Sequence, residues 1–115
     1  MIHIVINRAE NGCITGFTSR GHAGYAEKGE DIVCAAVSML VINTINSIER
    51  LSPEDLSMMQ VHSDEKEGEI RCEFSGIPSE KALLLLDSMY YGLKDSEKNY
   101  GSKYIELTEE KHPDL

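Results

Sequence analysis

Apolar and polar residues alternate with a period of two at the amino terminus. Ile2, Ile4 and Ile6 are interleaved with His3, Val5 and Asn7, which predicts a strand with one strongly apolar face. Glu10-Asn11-Gly12 marks a turn, and residues 13–20, rich in β-branched and aromatic side chains, are expected to return antiparallel as a hairpin. Gly16 inside that run points to a bulge or a close backbone approach. From residue 21 to 30 the pattern dissolves into a glycine-studded polar loop. A helix is then expected over residues 31 to about 50, with Asp31 as its N-cap and Cys34 as its third helical residue. Its apolar residues, from Ile32 and Val33 through Met39 and Ile42 to Ile48, fall nearly all round the axis. Such a helix needs cover on more than one side, from the sheet and from a second helix or another copy of the chain.

Residues 57–62 and 69–74 predict a second hairpin across a charged turn, with Ile70, Cys72 and Phe74 on one face, so that Cys72 is a core residue. After Gly76-Ile77-Pro78, a second amphipathic helix is expected over about 79–99, with Ala82, Leu86, Met89 and Leu93 at helical spacing. Residues 102–108 add a last strand and 109–115 read as a polar tail. The order ββαββαβ predicts an α+β fold, a mainly antiparallel sheet with two helices. At 115 residues, the chain 1–115 makes one domain.

The formal net charge of -9 changes the picture of partners. It disfavours direct binding to phosphate backbones and draws basic proteins or peptides. The amino terminus lacks the basic start and long apolar run of a secretory signal. The longest apolar run, residues 32–42 with Ser38 inside it, is shorter than the roughly 20 residues of a membrane span. Three cysteines without paired spacing fit a reducing compartment. A cytoplasmic protein, with no membrane and no direct nucleic-acid partner, is the expectation.

The candidate chemistry lies in residues 21–38, where His22 and Cys34 flank one loop. A free thiol, with a pKa of about 8.5, needs help to serve as a nucleophile. A helix N-terminus supplies about 0.3–1 kcal/mol, well under the roughly 1.36 kcal/mol of one pKa unit. A histidine that takes the thiol proton supplies more, and His22 is the candidate. Asp31 either caps the helix or orients His22 as a third member of the set. Ser38, one turn beyond Cys34, either bonds near the sulfur or bonds back to the backbone. First-turn N–H groups are candidates for an oxyanion hole. Gly24, Tyr25, Glu27 and Gly29 form either a substrate-contacting lid or an ordinary surface loop. A metal site from His22, Cys34, His62 and Cys72 lacks ligand spacing, so no metal and no cofactor is expected. His3, His62 and His112 read as structural or exposed. By themselves, His22 and Cys34 read more readily as a solvated histidine and a structural cysteine than as a catalytic pair.

Gly21-His22-Ala23, the glycine-containing loop, and Gly29-Glu30-Asp31-Ile32-Val33-Cys34-Ala35-Ala36-Val37-Ser38 closely resemble the signature of the bacterial ribosomal-processing cysteine protease family, Prp. The resemblance implies a cysteine endopeptidase with Cys34 as nucleophile and His22 as general base and acid. It implies a substrate as well, the N-terminal extension of a large-subunit ribosomal protein precursor (protein twenty-seven), cut after an apolar stretch ending in aromatic residues. A homodimer is also implied. The alternative is a non-catalytic acidic adaptor that binds a basic ribosomal protein or assembly intermediate.

Overall fold

In the computed structural model, which describes residues 1–21 and 28–112 with the side chains of residues 28–31 excepted, the alternating amino terminus forms β1 (Ile2–Arg8). It pairs antiparallel with β2 (Ile14–Arg20), Ile4 opposite Ser19. The register slips between Asn7 and Arg8, beside Gly16. A Cβ on Gly16 would stand 2.8 Å from the carbonyl oxygen of Cys72, so both the bulge and the close approach expected of this glycine are present.

The helix α1 (Lys28–Leu51) is followed by a 3-10 turn (Pro53–Asp55), β3 (Met59–Asp64), β4 (Glu69–Phe74), α2 (Glu80–Tyr100) and β5 (Ile105–Lys111). The described residues form one five-stranded sheet in the order β3-β4-β2-β1-β5. Every pairing is antiparallel except β1 with β5, which run parallel. The expected α+β order ββαββαβ therefore holds, with a mixed sheet.

The starts of α1 and β3 and both ends of β5 differ from the expectations. The helix α1 begins at Lys28, so Asp31 lies within its first turn and does not cap it. Lysine and glutamate are good helix formers, and the stretch that reads as loop extends the helix backwards. Residues 57 and 58 belong to the turn before β3. Residues 109–111, read as tail, belong to β5, because the parallel pairing with β1 runs on to Arg8 opposite Lys111. Arg8 secures that end. Its Nε donates to Glu109 Oε1 at 2.6 Å, and its guanidinium stacks 4.8 Å over the Tyr90 ring of α2.

Both helices cover one sheet face. Ile2, Ile4, Ile6, Ile14 and Phe17 meet Val33, Val37, Val41, Ile45 and Ile48 of α1 and Leu86, Met89 and Leu93 of α2, all buried. Burying one such side chain is worth about 1.5–3 kcal/mol, so this layer carries the fold. Cys72 lies in the same core, as its strand face predicts. The opposite side of α1 is bare, with Met39 72% exposed and Ile32 and Ile42 also exposed. By length and composition alone, Ile32–Leu51 is long and apolar enough to cross a membrane, a longer stretch than the run read from the sequence. One of its faces is committed to the sheet.

The two helices are joined by a buried carboxylate. Asp55 accepts hydrogen bonds from Ser52 Oγ at 2.5 Å, Ser79 Oγ at 2.6 Å and the Ser79 N–H at 2.8 Å. Ser79 is in turn the N-cap of α2, accepting from the Ala82 N–H at 3.3 Å.

Candidate active site

The helix α1 does not reach the edge of the sheet. Val61 of β3 shares a face with Cys72, its partner in register, yet it is 45% exposed. A cleft of about 670 Å³ is left between α1 and the β3–β4 hairpin. Cys34, Val37, Ser38 and Ile45 line it from α1, Val61 and Ile70 from the hairpin, and Ser19 and Gly21 from the end of β2. Cys34 is half-buried and packs against the core, so its thiol belongs both to the packing and to the cleft. Ser38 lines the same cleft one turn further along, on the helical face that it shares with Cys34.

Gly21 fixes the end of β2 against two remote segments. Its N–H donates to the Gly68 carbonyl at 3.2 Å, joining β2 to the β3–β4 turn. Its φ is 146°, and a Cβ there would stand 2.5 Å from the Met1 carbonyl oxygen. Only glycine fits both the backbone conformation and the contact. The glycine was visible in the sequence, but its neighbours, distant in the chain, gave no signal. The hairpin wall of the cleft was likewise missed, because nothing in the alternation of β3 shows that α1 stops short of it.

His22, Ala23, Gly24, Tyr25 and Glu27 lie outside the described residues. Gly29 and Asp31 stand in the first turn of α1. Since α1 starts at Lys28, Cys34 lies beyond the first turn, roughly 9 Å along the axis. The dipole effect falls off within the first turn, so it assists Cys34 less than an N-terminal position would. The first-turn N–H groups are correspondingly displaced from the sulfur, and an oxyanion hole built from them beside Cys34 is not supported.

The other candidates are separated from Cys34. Burial, with help from Glu73 and Glu49, pushes the Cys72 thiol up to about 12. His62 lies opposite Arg71 in the pairing, on the sheet face away from Cys72, so the fold parts two of the four residues of the conceivable metal set. His3 pairs with Glu106 at 3.4 Å and His112 with Glu110 at 3.5 Å, both partly exposed. Cys13 lies in the β1–β2 turn, its N–H donating to Asn11 Oδ1 at 3.0 Å.

A sequence model of the family described as cysteine protease Prp matches residues 1–106. The ribosomal processing cysteine protease Prp of Bacillus subtilis (strain 168) is 33% identical over 104 residues, covering 87% of this chain and 90% of that protein. The crystal structure of the essential ribosomal processing protease Prp from S. aureus in complex with a substrate peptide is similar with a TM-score of 0.85. That likeness carries 27% identity and covers 96% of this chain and 100% of that one. A second structure of the S. aureus protease, with a covalently linked product peptide, gives a TM-score of 0.81 at 28% identity, again over 96% and 100% of the two chains. A half-buried thiol on an open cleft, in the fold of that protease and under a family match that runs from residue 1 to 106, has one consistent assignment: the chain belongs to the Prp family of cysteine proteases.

Proposed function

We propose that the protein is an endopeptidase that removes the N-terminal extension from the precursor of large-subunit ribosomal protein twenty-seven, with Cys34 as nucleophile and His22 as general base and acid. The observation that carries this reading is the shared cleft: Cys34 and Gly21, the residue before His22, line the same open, largely apolar trough. The solved relatives bound to a substrate peptide and a covalently linked product peptide support a peptide as the occupant.

In the proposed sequence the Cys34 thiol gives its proton to His22, and the sulfur attacks the carbonyl carbon of the scissile bond. The tetrahedral intermediate collapses as His22 returns the proton to the leaving amine, giving a thioester. Water, deprotonated by His22, then attacks the thioester, releasing the carboxylate product and restoring the thiol. Asp31, within the first turn of α1, orients His22 in this reading, and Ser38 supports the sulfur. Gly24, Tyr25, Glu27 and Gly29 belong to the segment that would cover the peptide. The bare stripe of Ile32, Met39 and Ile42 on α1 supports a homodimer. The cytoplasm, where ribosomal proteins are made, is the compartment this reading requires.

The test is a direct one. Purified protein is incubated with the precursor and the products are read by mass spectrometry. Cys34→Ala is expected to abolish cleavage, by at least about a thousandfold, while leaving the circular dichroism and the oligomeric state unchanged. Cleavage retained by Cys34→Ala would overturn the assignment.

A further inference from the structure

One row of the sheet runs across the floor of the cleft beside Cys34. Ser63 of β3 lies opposite Ile70 of β4, Ile70 opposite Ser19 of β2, and Ser19 opposite Ile4 of β1. Side chains alternate along a strand, so Ser19 points to the same side as the core residue Phe17, toward the helices. On one side of it Ile4 belongs to the core, and on the other Ile70 packs against that core. A hydroxyl therefore stands between two isoleucines. Ser19 is 7% exposed, and its hydroxyl has no hydrogen-bond partner among the described residues. The other buried polar side chains differ. Thr44 donates to the Leu40 carbonyl at 2.7 Å, Ser52 and Asp55 bond to each other, and Thr15 does not reach the cleft. The acids of the cleft that lie nearest in sequence are already engaged: Glu69 accepts from Arg71 at 2.7 Å, and Asp64 accepts the N–H groups of Lys66 and Glu67. A hydroxyl withdrawn from bulk water without a partner is a cost to the protein alone. A peptide entering the same cleft has the complementary need, because its N–H and C=O groups lose water and require partners. Serine both donates and accepts, so it serves either group.

We infer that Ser19, from the floor of the cleft, hydrogen-bonds the main chain of the bound peptide. The inference rests on the reading of this cleft as the peptide site. It adds a binding residue that acts on the peptide backbone, whatever side chains the peptide carries, and it gives the unpaired hydroxyl a partner only in the complex.

The experiment uses the full chain carrying Cys34→Ser, which prevents turnover, and a fluorescent peptide that spans the cleavage junction of the ribosomal-protein precursor. Binding is read by fluorescence anisotropy and stability by thermal melting without peptide. Ser19→Ala is expected to raise Kd about fivefold. It should leave Tm equal or higher, because it removes a hydroxyl that the protein alone does not pair. A hydroxyl that merely braces the fold gives the opposite sign, a lower Tm. Thr15→Val, which removes a buried hydroxyl of β2 away from the cleft, should leave Kd unchanged. Peptides with one amide at a time replaced by an ester locate the bond: at one position the loss of affinity should be smaller with Ser19→Ala than with Ser19 in place. An unchanged Kd or a lowered Tm for Ser19→Ala, equal ester penalties at every position, an equal effect of Thr15→Val, or no binding of the junction peptide would overturn the inference. The same peptide, offered to protein with Cys34 intact, separates this from the protease reading. Cleavage with a Kd indifferent to Ser19 sinks the inference alone, and Ser19-dependent binding without cleavage sinks the protease alone.

Discussion

Three free thiols sit in three settings, and they are expected to differ in reactivity accordingly. Cys72 is buried, with its thiol pushed up to about 12, so at pH 8 iodoacetamide should reach it only after the protein is unfolded. Cys34 and Cys13 are partly exposed and should label in the native state. Peptide mapping of the alkylated protein, with and without denaturant, reads all three, and native labelling of Cys72 would contradict the core packing. At this scale the sequence was most informative where residue type itself is chemical. Cys34 and Ser38 were read onto one face and share the cleft, and Cys72 was read as core. Gly21 was legible as a glycine but not as a clamp, since Met1 and Gly68 come near it only when the sheet has formed.

Among the elements, the joint between α1 and α2 depends on one carboxylate. Burial pushes the Asp55 carboxyl up, but hydrogen bonds from Ser52 and Ser79 outweigh it and hold the group below its ordinary 3.8. The folded-state value is the lower one, so the stabilisation is fully present above pH 3.8 and is lost as the pH falls through the folded value. Asp55→Ala is expected to cost about 2–3 kcal/mol near neutral pH, because it takes the acceptor from the buried Ser52 hydroxyl and from the part-buried hydroxyl and N–H of Ser79. Urea melts at pH 7 and at pH 3 should show wild type losing stability toward acid more steeply than the variant. Nothing in a helix period announces this brace; Ser52 and Asp55 read as connection residues and Ser79 as the start of a helix, and their shared contact spans 24 residues of chain. β4, by contrast, was read at Glu69–Phe74 as observed, since its alternation is strong and a turn bounds it. The start of α1 and the end of β5 were misread for a common reason. Charged stretches look like loop and tail until a neighbouring element, or a pairing with β1, gives them a partner.

In the molecule as a whole the helices occupy one face of the sheet and α1 presents an apolar stripe to solvent. The reading of α1 as apolar all round was right about its composition, and what covers its outer side is the proposed second copy. Met39→Asp places a charge on that stripe at a residue 72% exposed, outside the core. The variant is expected to remain folded and to run as a monomer in size-exclusion chromatography with light scattering, where the parent runs as a dimer; a parent monomer would remove the dimer from the proposal. The sheet itself closes between its first strand and its last. β1 gains β2 within a few residues, but its other neighbour is β5, about a hundred residues later in the chain. During synthesis, β1 therefore emerges with one edge bare and stays so until β5 has been made. Ile105, fully buried in the finished core, arrives among the last. A growing chain that has yet to expose this closing strand cannot complete its core, so the protease takes its folded form only once β5 has reached β1.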